Sequence, residues 1–133
     1  MVEDVGAELG PDRTLLLVDD DEAFVKRLAK AMEKRGFVPE TAGSVAAGRA
    51  IAMARPPAYA VIDLRLEDGN GLDVVETLRE RRPDCRIVVL TGYGAIATAV
   101  AAVKIGAADY LSKPADANDV TNALLARDAA MPE

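Results

Sequence analysis

The sequence predicts an α/β fold in which five βα units build a doubly wound, five-stranded parallel sheet. Short apolar runs alternate with stretches of helical periodicity along the whole chain. Helical crossovers between consecutive strands force those strands to pair in parallel, and right-handed crossovers place helices on both faces of the sheet. Half of the 133 residues are hydrophobic and only 4% are aromatic, which suits helices packed on a sheet.

Each predicted strand is a short apolar run that stops at polar or turn residues. Continuous runs of Leu, Val and Ile, as in the first and fourth strands, are typical of strands covered on both faces. The second run is the weaker one. The five predicted strands are residues 14–18, 37–41, 59–63, 86–91 and 108–112.

The stretches between the strands carry helix-capping residues at their ends. Asp21 and Ser44 precede the first and second helices as N-caps, whose side-chain oxygens accept backbone N–H groups. Gly36 ends the first helix, Gly106 ends the fourth, and Pro83 closes the third. The predicted helices are residues 22–35, 44–54, 71–82, 95–105 and 116–127.

Apolar residues at helical spacing indicate which side of a helix packs inward. In the last two helices these residues are Ile96, Val100 and Val103, and then Val120, Ala123 and Leu124.

Composition excludes several classes of function. The 16 basic and 22 acidic residues leave a net charge of −6, which argues against a domain that grips nucleic acid unaided. The sequence has no histidine and one cysteine, Cys85, so a structural zinc site is effectively excluded. A lone cysteine has no resolving partner for redox sensing, and a structural role for Cys85 is favoured.

The chain divides into a flexible leader (1–12), one domain (13–128), and a tail or the start of a linker to an output domain (129–133). The leader has neither the basic nor the apolar segment of a signal peptide. No apolar run reaches the ~18 residues that span a bilayer. We therefore expect a soluble, cytoplasmic protein without a membrane partner.

Polar residues end four of the five predicted strands. Asp19 and Asp20 follow the first strand, Asp63 ends the third, Thr91 ends the fourth, and Lys113 follows the fifth. The carboxyl ends of parallel strands share one edge of the sheet, so these side chains are expected to converge there. An aspartate often does no more than end a strand. A functional role for Asp63 is indicated because polar residues end other strands in the same way.

Three carboxylates packed together raise one another's pKa, and a hard divalent cation is their natural neutraliser. A site with few protein ligands and room for water and phosphate oxygens suits Mg²⁺ better than Ca²⁺. A carboxylate beside such an ion and an ammonium group is a suitable nucleophile toward a phosphoryl group. The residues thus predict phosphoryl transfer.

Four sequence blocks occur in order: Leu-Leu-Val-Asp-Asp-Asp at 16–21, Val-Ile-Asp-Leu at 61–64, Leu-Thr-Gly-Tyr at 90–93 and Gly-Ala-Ala-Asp-Tyr-Leu-Ser-Lys-Pro at 106–114. Across residues 14–127 the chain resembles the receiver domain of response regulators. The runs 63–75 and 90–104 are similar to the RegA/PrrA/ActR redox-responsive global regulators, which carry a C-terminal Fis-like helix-turn-helix. The resemblance implies a flavodoxin/CheY-like fold with strand order 2-1-3-4-5.

The resemblance also implies roles for the acidic residues. Asp63 would be the phosphoacceptor that attacks phosphohistidine on a sensor histidine kinase. Asp20 would bind Mg²⁺ directly, Asp19 would act with it through water, and the backbone carbonyl of Arg65 would complete the metal shell. The domain would then be no enzyme beyond catalysing its own phosphorylation and dephosphorylation.

Further roles are implied for the residues around the phosphoacceptor. Lys113 would pair with phosphorylated Asp63, and a cis peptide bond would join it to Pro114. Thr91 and Tyr110 would be the switch pair, with Thr91 moving toward the phosphoryl group and Tyr110 turning inward. The readout surface, also that of a phosphorylation-dependent homodimer, would be the face of the fourth helix, fifth strand and fifth helix.

Three positions around the site are less defined. Arg65 and Tyr93 flank the pocket and would govern the access of water, and hence the phosphoryl lifetime. The family often has a proline four residues after the phosphoacceptor, where this chain has Glu67, so the shape and mobility of that loop are open.

The basic face of the first helix is either a kinase-docking surface or ordinary solvated charge. That face carries Lys26, Arg27, Lys30, Lys34 and Arg35.

Other functions compete with that of a receiver linked to a transcriptional output. A haloacid-dehalogenase-like phosphatase would use Asp19 and Asp21 as nucleophile and acid, but it leaves Asp63 without a role. A non-phosphorylated interaction module is a third hypothesis, and the intact site residues argue against it. The domain could also be a stand-alone receiver; contact with DNA would need an output domain outside this chain.

Overall fold

In the computed structural model, which describes residues 11–92 and 96–125, five parallel strands form one sheet. The strands are β1 (Thr14–Val18), β2 (Val38–Ala42), β3 (Tyr59–Asp63), β4 (Arg86–Thr91) and β5 (Asp109–Ser112). Their order across the sheet is β2-β1-β3-β4-β5, which confirms the predicted order and fold class.

Five helices connect or follow the strands: α1 (Glu22–Lys34), α2 (Val45–Ala54), α3 (Leu72–Arg81), α4 (Ile96–Lys104) and α5 (Ala117–Leu125). Asp21 caps α1 by accepting the backbone N–H of Phe24 at 3.1 Å, and Ser44 caps α2 in the same way. Gly36 and Gly106 have φ of 100° and 120°, the left-handed conformation of a helix C-terminal cap. All four capping predictions are confirmed.

The sheet buries its two faces in two separate hydrophobic clusters. Alternate residues of β1 point to opposite faces, so Leu16 and Val18 join one cluster while Leu15 and Leu17 join the other. The first cluster includes buried residues of α2, α3 and α4, and the second includes those of α1 and α5. Because both faces are covered, the central strands are continuous apolar runs.

The inward side of α4 differs from the prediction. Val100 and Val103 are 42% and 40% exposed, whereas Ala99 and Ala102 are fully buried. This helix is apolar on several sides, so the spacing of its larger residues did not identify the packed one. The small alanine side chains are the ones that face the sheet and its first cluster.

The turn after β3 contains a short hairpin that the sequence did not predict. Residues Arg65–Leu66 pair in antiparallel fashion with Gly69–Asn70, and Gly69 has a φ of 150° that favours glycine. We call the segment 65–70 the β3–α3 hairpin. The hairpin is the shape of the loop in which Glu67 stands where the family often has a proline.

Within residues 11–92 and 96–125, no helix has both the length and the apolar character needed to cross a membrane.

Candidate functional site

The predicted polar residues meet at the carboxyl edge of the sheet. Asp63 is the last residue of β3, and Asp19 and Asp20 follow β1 directly. One carboxylate oxygen from each of these three residues lies within 4.8 Å of the other two. The convergence expected from parallel strands is therefore present.

Lys113 brings the positive charge to this cluster. Its Nζ lies 2.9 Å from Oδ2 of Asp19 and 3.3 Å from Oδ2 of Asp63. Its backbone N–H donates to the carbonyl of Thr91 at 2.8 Å, which ties the end of β5 to the end of β4. The Lys113–Pro114 peptide bond is cis, as predicted. The ammonium also lies 5.2 Å from the ring centroid of Phe24, within cation–π distance.

Asp63 is 4% exposed, and its environment pulls its pKa in two directions. Burial raises the pKa of Asp63, and the nearby charge of Asp19 raises it further. The backbone N–H of Arg65, 3.1 Å from Oδ1, and the ammonium of Lys113 lower it, but the net direction is upward. The charged form thus has a higher free energy here than in water.

The pKa of Lys113 moves upward as well. Burial alone lowers it, but the contacts with Asp19 and Asp63 outweigh burial. Lys113 therefore stays protonated as the counter-ion of two carboxylates.

Asp19 and Asp20 differ in exposure although they are neighbours. Asp19 is 3% exposed, and its Oδ1 accepts the backbone N–H of Asp21 at 2.9 Å. Its Oδ2 contacts Lys113 as an ion pair without the angles of a hydrogen bond. Asp20 is exposed, and its Oδ2 accepts the backbone N–H of Glu67 at 3.2 Å.

This arrangement fits a divalent cation. Three carboxylates supply hard oxygen donors within one small volume, and a single ammonium does not balance their charge. Asp20 faces solvent, so an ion has a route of entry and room for water ligands.

Thr91 ends β4 beside the cluster and is 1% exposed. Its Oγ1 is buried without a hydrogen-bond partner among the described residues. A buried hydroxyl of this kind is available to an incoming oxygen acceptor. Tyr110 is half-buried and packs against the first hydrophobic cluster. The side chain of Arg65 is exposed, and Tyr93 lies outside the described residues.

Sequence reasoning missed two contributors to the site and one long-range contact of the adjoining β3–α3 hairpin. Glu67 acts through its backbone N–H, which no side-chain pattern reveals. Phe24 lies in α1, and its place in the sequence does not indicate the contact of its ring with the Lys113 ammonium. Asp68 accepts the backbone N–H groups of Val45 and Ala46. This long-range contact cannot be predicted from the position of Asp68 in a turn sequence.

The phosphatase hypothesis needs Asp21 as a free acid. The carboxylate of Asp21 instead caps α1, which begins at the next residue and leaves no space for a cap or flap insertion. The environment of Asp21 therefore does not fit the free acid that this hypothesis requires.

The family described as the response regulator receiver domain matches residues 15–125. The chain belongs to this family, which makes it the phosphoacceptor module of a two-component response regulator. The family is one of regulators rather than a classical enzyme family.

Among characterised relatives, the chain is similar to the photosynthetic apparatus regulatory protein RegA of Cereibacter sphaeroides. The two are 83% identical over 99% of this chain and 72% of that protein. The acid tolerance regulatory protein ActR of Rhizobium meliloti is 66% identical over 90% of this chain and 61% of that protein. The predicted kinship with the RegA and ActR regulators is thereby confirmed.

Among solved structures, the fold is similar to that of a response regulator from Burkholderia pseudomallei. The TM-score is 0.82 at 39% identity, over 90% of this chain and 69% of that one. That protein was crystallised with a phosphorylated aspartic acid, a calcium ion and citrate.

Proposed function

We propose that Asp63 accepts a phosphoryl group from a sensor histidine kinase and that its phosphorylation switches the face formed by α4, β5 and α5. The observation that carries the proposal is the placement of the buried Asp63 carboxylate. It lies 3.3 Å from the Lys113 ammonium and within 4.8 Å of oxygens from both Asp19 and Asp20. Thr91 adds an unpartnered hydroxyl at the same edge.

In this reaction a carboxylate oxygen of Asp63 attacks the phosphorus atom of phosphohistidine. The P–N bond breaks, its electron pair leaves with the imidazole, and the product is an acyl phosphate. Lys113 stays protonated and pairs with the added negative charge, while Thr91 donates its hydroxyl to a phosphoryl oxygen. Phosphoryl transfer depends mainly on positioning and electrostatics, which these side chains supply. The domain thereby catalyses its own phosphorylation and, through attack by water, its own dephosphorylation.

The ion of this site would be Mg²⁺, and Asp20, Asp63 and the backbone carbonyl of Arg65 would hold it, with Asp19 acting through water. When bound, Mg²⁺ supplies positive charge that stabilises the phosphoryl oxygens. The choice of Mg²⁺ over Ca²⁺ is supported by the small number of protein oxygens in the cluster.

Switching follows from Thr91 and Tyr110. Phosphate draws the Thr91 hydroxyl toward the site, and the half-buried Tyr110 ring turns into the space released. Phosphorylation thus favours one arrangement of α4 out of a pre-existing pair. The exposed Val100 and Val103 lie on the switching face and suit a phosphorylation-dependent homodimer. Arg65 and Tyr93 govern the access of water.

The exposed basic residues of α1 receive the kinase. Lys26, Arg27 and Lys30 are exposed on this helix, close to the site because α1 begins two residues after Asp20.

The output is control of transcription through a DNA-binding domain outside this chain, in redox-responsive global regulation as the RegA resemblance implies. A stand-alone receiver is the alternative. The place of action is the cytoplasm, where a kinase that uses ATP has its substrate.

The test of the phosphoacceptor is the Asp63→Asn variant. Incubation with a small phosphodonor such as acetyl phosphate and Mg²⁺ should label the wild-type chain stoichiometrically, with an acid-stable, base-labile bond. Asp63→Asn should abolish that label because the amide is no nucleophile. Asp84→Asn, an exposed position outside the cluster, is the control and should be labelled like the wild type. Wild-type labelling of Asp63→Asn would refute the assignment.

The same assay separates the alternative functions. A phosphatase would release phosphate from a phosphomonoester over many turnovers. An interaction module would take no label and bind no Mg²⁺. For the receiver, Asp20→Ala should abolish Mg²⁺ binding.

A further inference from the structure

We propose that Asp68 is a positioning residue for this site: it anchors the β3–α3 hairpin on the N-terminus of α2 and so holds the backbone groups that orient Asp63 and Asp20. The inference rests on the proposed function, since it concerns the same carboxylates.

The anchor is a pair of long-range hydrogen bonds. Oδ1 of Asp68 accepts the backbone N–H of Val45 at 2.8 Å, and Oδ2 accepts that of Ala46 at 3.1 Å. Val45 and Ala46 are the first residues of α2, whose free N–H groups favour a negative charge. These bonds lower the pKa of Asp68, so the carboxylate is charged at neutral pH.

The helix does not need Asp68 for its ordinary cap. Ser44 already fills that role, because its Oγ accepts the N–H of Ala47 at 3.0 Å. The N-terminus of α2 thus has one cap from its own segment and a second from a segment more than twenty residues away. Because α2 is already capped by Ser44, the contact of Asp68 with α2 acts mainly to hold the β3–α3 hairpin in place.

The hairpin is held on α2 by two unlike contacts. Leu66 is buried and belongs to the same hydrophobic cluster as Val45. Asp68, two residues further, makes the polar contact at the exposed tip. Leu66, which pairs with Gly69, buries the hairpin's apolar side chain in this cluster, and the Asp68 carboxylate fixes the turn.

The hairpin presents two backbone donors to the carboxylate cluster. The N–H of Arg65 donates to Oδ1 of Asp63 at 3.1 Å, and the N–H of Glu67 donates to Oδ2 of Asp20 at 3.2 Å. Glu67 is the neighbour of Asp68, so the anchor sets the direction of that N–H. A proline at position 67 would have no N–H to donate.

Asp20 is exposed, so little packing restricts its carboxylate. Without the Asp68 anchor, the Glu67 N–H should no longer hold the Asp20 carboxylate in one orientation. The orientation of that carboxylate affects how well it binds a cation. Removal of a group that orients a metal ligand typically weakens metal affinity by 10–100-fold. For Asp68→Ala we expect Mg²⁺ affinity to fall by about tenfold. The labelling rate at saturating Mg²⁺ should stay within about twofold of the wild type, because the reacting groups are intact.

The experiment compares Asp68→Ala, Asp68→Asn and Ser44→Ala in the 133-residue chain. Ser44→Ala is the matched control because it removes a cap from the same helix without touching the hairpin. Amide hydrogen exchange in the metal-free protein reports the N–H of Glu67, and calorimetry reports the dissociation constant of Mg²⁺. Asp68→Ala should speed exchange at Glu67 and weaken Mg²⁺ binding, whereas Ser44→Ala should do neither.

Asp68→Asn separates anchoring from charge. Asparagine keeps a side-chain oxygen that caps helices well but removes the negative charge. Its behaviour should lie nearer to the wild type than to Asp68→Ala. Equal weakening in the Asn and Ala variants would show a charge effect and overturn the inference. If Asp68→Ala does not fold, Asp68→Asn is compared with Ser44→Ala. Asparagine offers one oxygen for the two N–H groups that Asp68 binds, so exchange at Glu67 should be slightly faster in Asp68→Asn than in Ser44→Ala. Equal rates would overturn the inference.

The two proposals fail in different ways. A wild-type chain that binds no Mg²⁺ and takes no label overturns the proposed function and this inference with it. A wild-type chain that does both, with Asp68→Ala indistinguishable from Ser44→Ala, overturns the inference alone.

Discussion

Lys113 sets the charge balance of the site, because its single ammonium faces two carboxylates at 2.9 and 3.3 Å. The pKa of Asp63 rises through burial and through Asp19, although Lys113 and the Arg65 N–H oppose the rise. Burial of the charged Asp63 carboxylate is therefore unfavourable in free energy. A side chain in this state is stabilised by a nearby cation.

Cys85 shows how burial decides the chemistry of a single residue. It is 4% exposed, and burial raises the pKa of its thiol from 9.0 to about 12. Because the thiolate is the reactive form, the structural role expected from the sequence is supported against redox sensing.

The Cys85 thiol should react with an alkylating reagent about a thousandfold more slowly in the folded chain than in urea, given the difference in thiolate fraction. The mass added to the protein by alkylation, followed over time by mass spectrometry, gives the rate. The raised pKa adds stability below pH 9, and that stability is lost as the pH rises toward 12. The slope is at most about 1.4 kcal/mol per pH unit. Cys85→Ala should lack this alkaline loss; rapid alkylation of the folded wild type would contradict the assignment.

At the scale of elements, the junction between β3 and α3 is set by space. Gly71 precedes α3, and a Cβ built there would lie 2.2 Å from the carbonyl oxygen of Asp63 and 2.9 Å from Cγ2 of Ile62. The N–H of Gly71 also donates to the carbonyl of Leu64 at 3.0 Å. The absence of a side chain at residue 71 therefore lets α3 start directly against the strand that carries Asp63.

Gly71→Ala should lower the free energy of unfolding by about 1–3 kcal/mol, the usual cost of overpacking. Urea denaturation measures the change. Gly43→Ala is the control, since a Cβ at Gly43 meets nothing within 4 Å, and its effect should stay within about 0.5 kcal/mol. Equal effects of the two substitutions would show that the close approach of Gly71 to Asp63 carries no energetic weight.

At the scale of the whole molecule, the parallel sheet gathers charge at one edge. Folding brings carboxylate oxygens of Asp19, Asp20 and Asp63 within 4.8 Å of one another, and their repulsion opposes the folded state until a cation binds. The site is thus assembled at a cost in stability, which the two hydrophobic clusters outweigh.

Without Mg²⁺ at neutral pH, Asp63→Asn should be more stable than the wild type. The raised pKa of Asp63 favours the neutral carboxyl, so stability is lost as the pH rises through that pKa, and an amide escapes the loss. Mg²⁺ at 100 times its dissociation constant should stabilise the wild type by about 2.7 kcal/mol and the variant by less. Urea denaturation with and without chelator measures both effects. A metal-free Asp63→Asn less stable than the wild type would contradict the account.

The sequence by itself determined the alternation of strands and helices, the caps at Asp21, Ser44, Gly36 and Gly106, and the strand ends that carry the site. These features depend on local periodicity and turn chemistry, and parallel pairing then brings the strand ends together. The strand order and the cis bond before Pro114 came from the family resemblance, which rests on sequence as well.

Only the tertiary structure decided which side of α4 packs, because an alanine-rich helix is apolar in more than one direction. It also decided that the N–H of Glu67 reaches Asp20 and that Asp68 caps α2. The partners in these contacts lie 47 and 22–23 positions apart, and backbone donors leave no side-chain signature. Local patterns place a residue on an element, but the packing of elements against one another selects its partners.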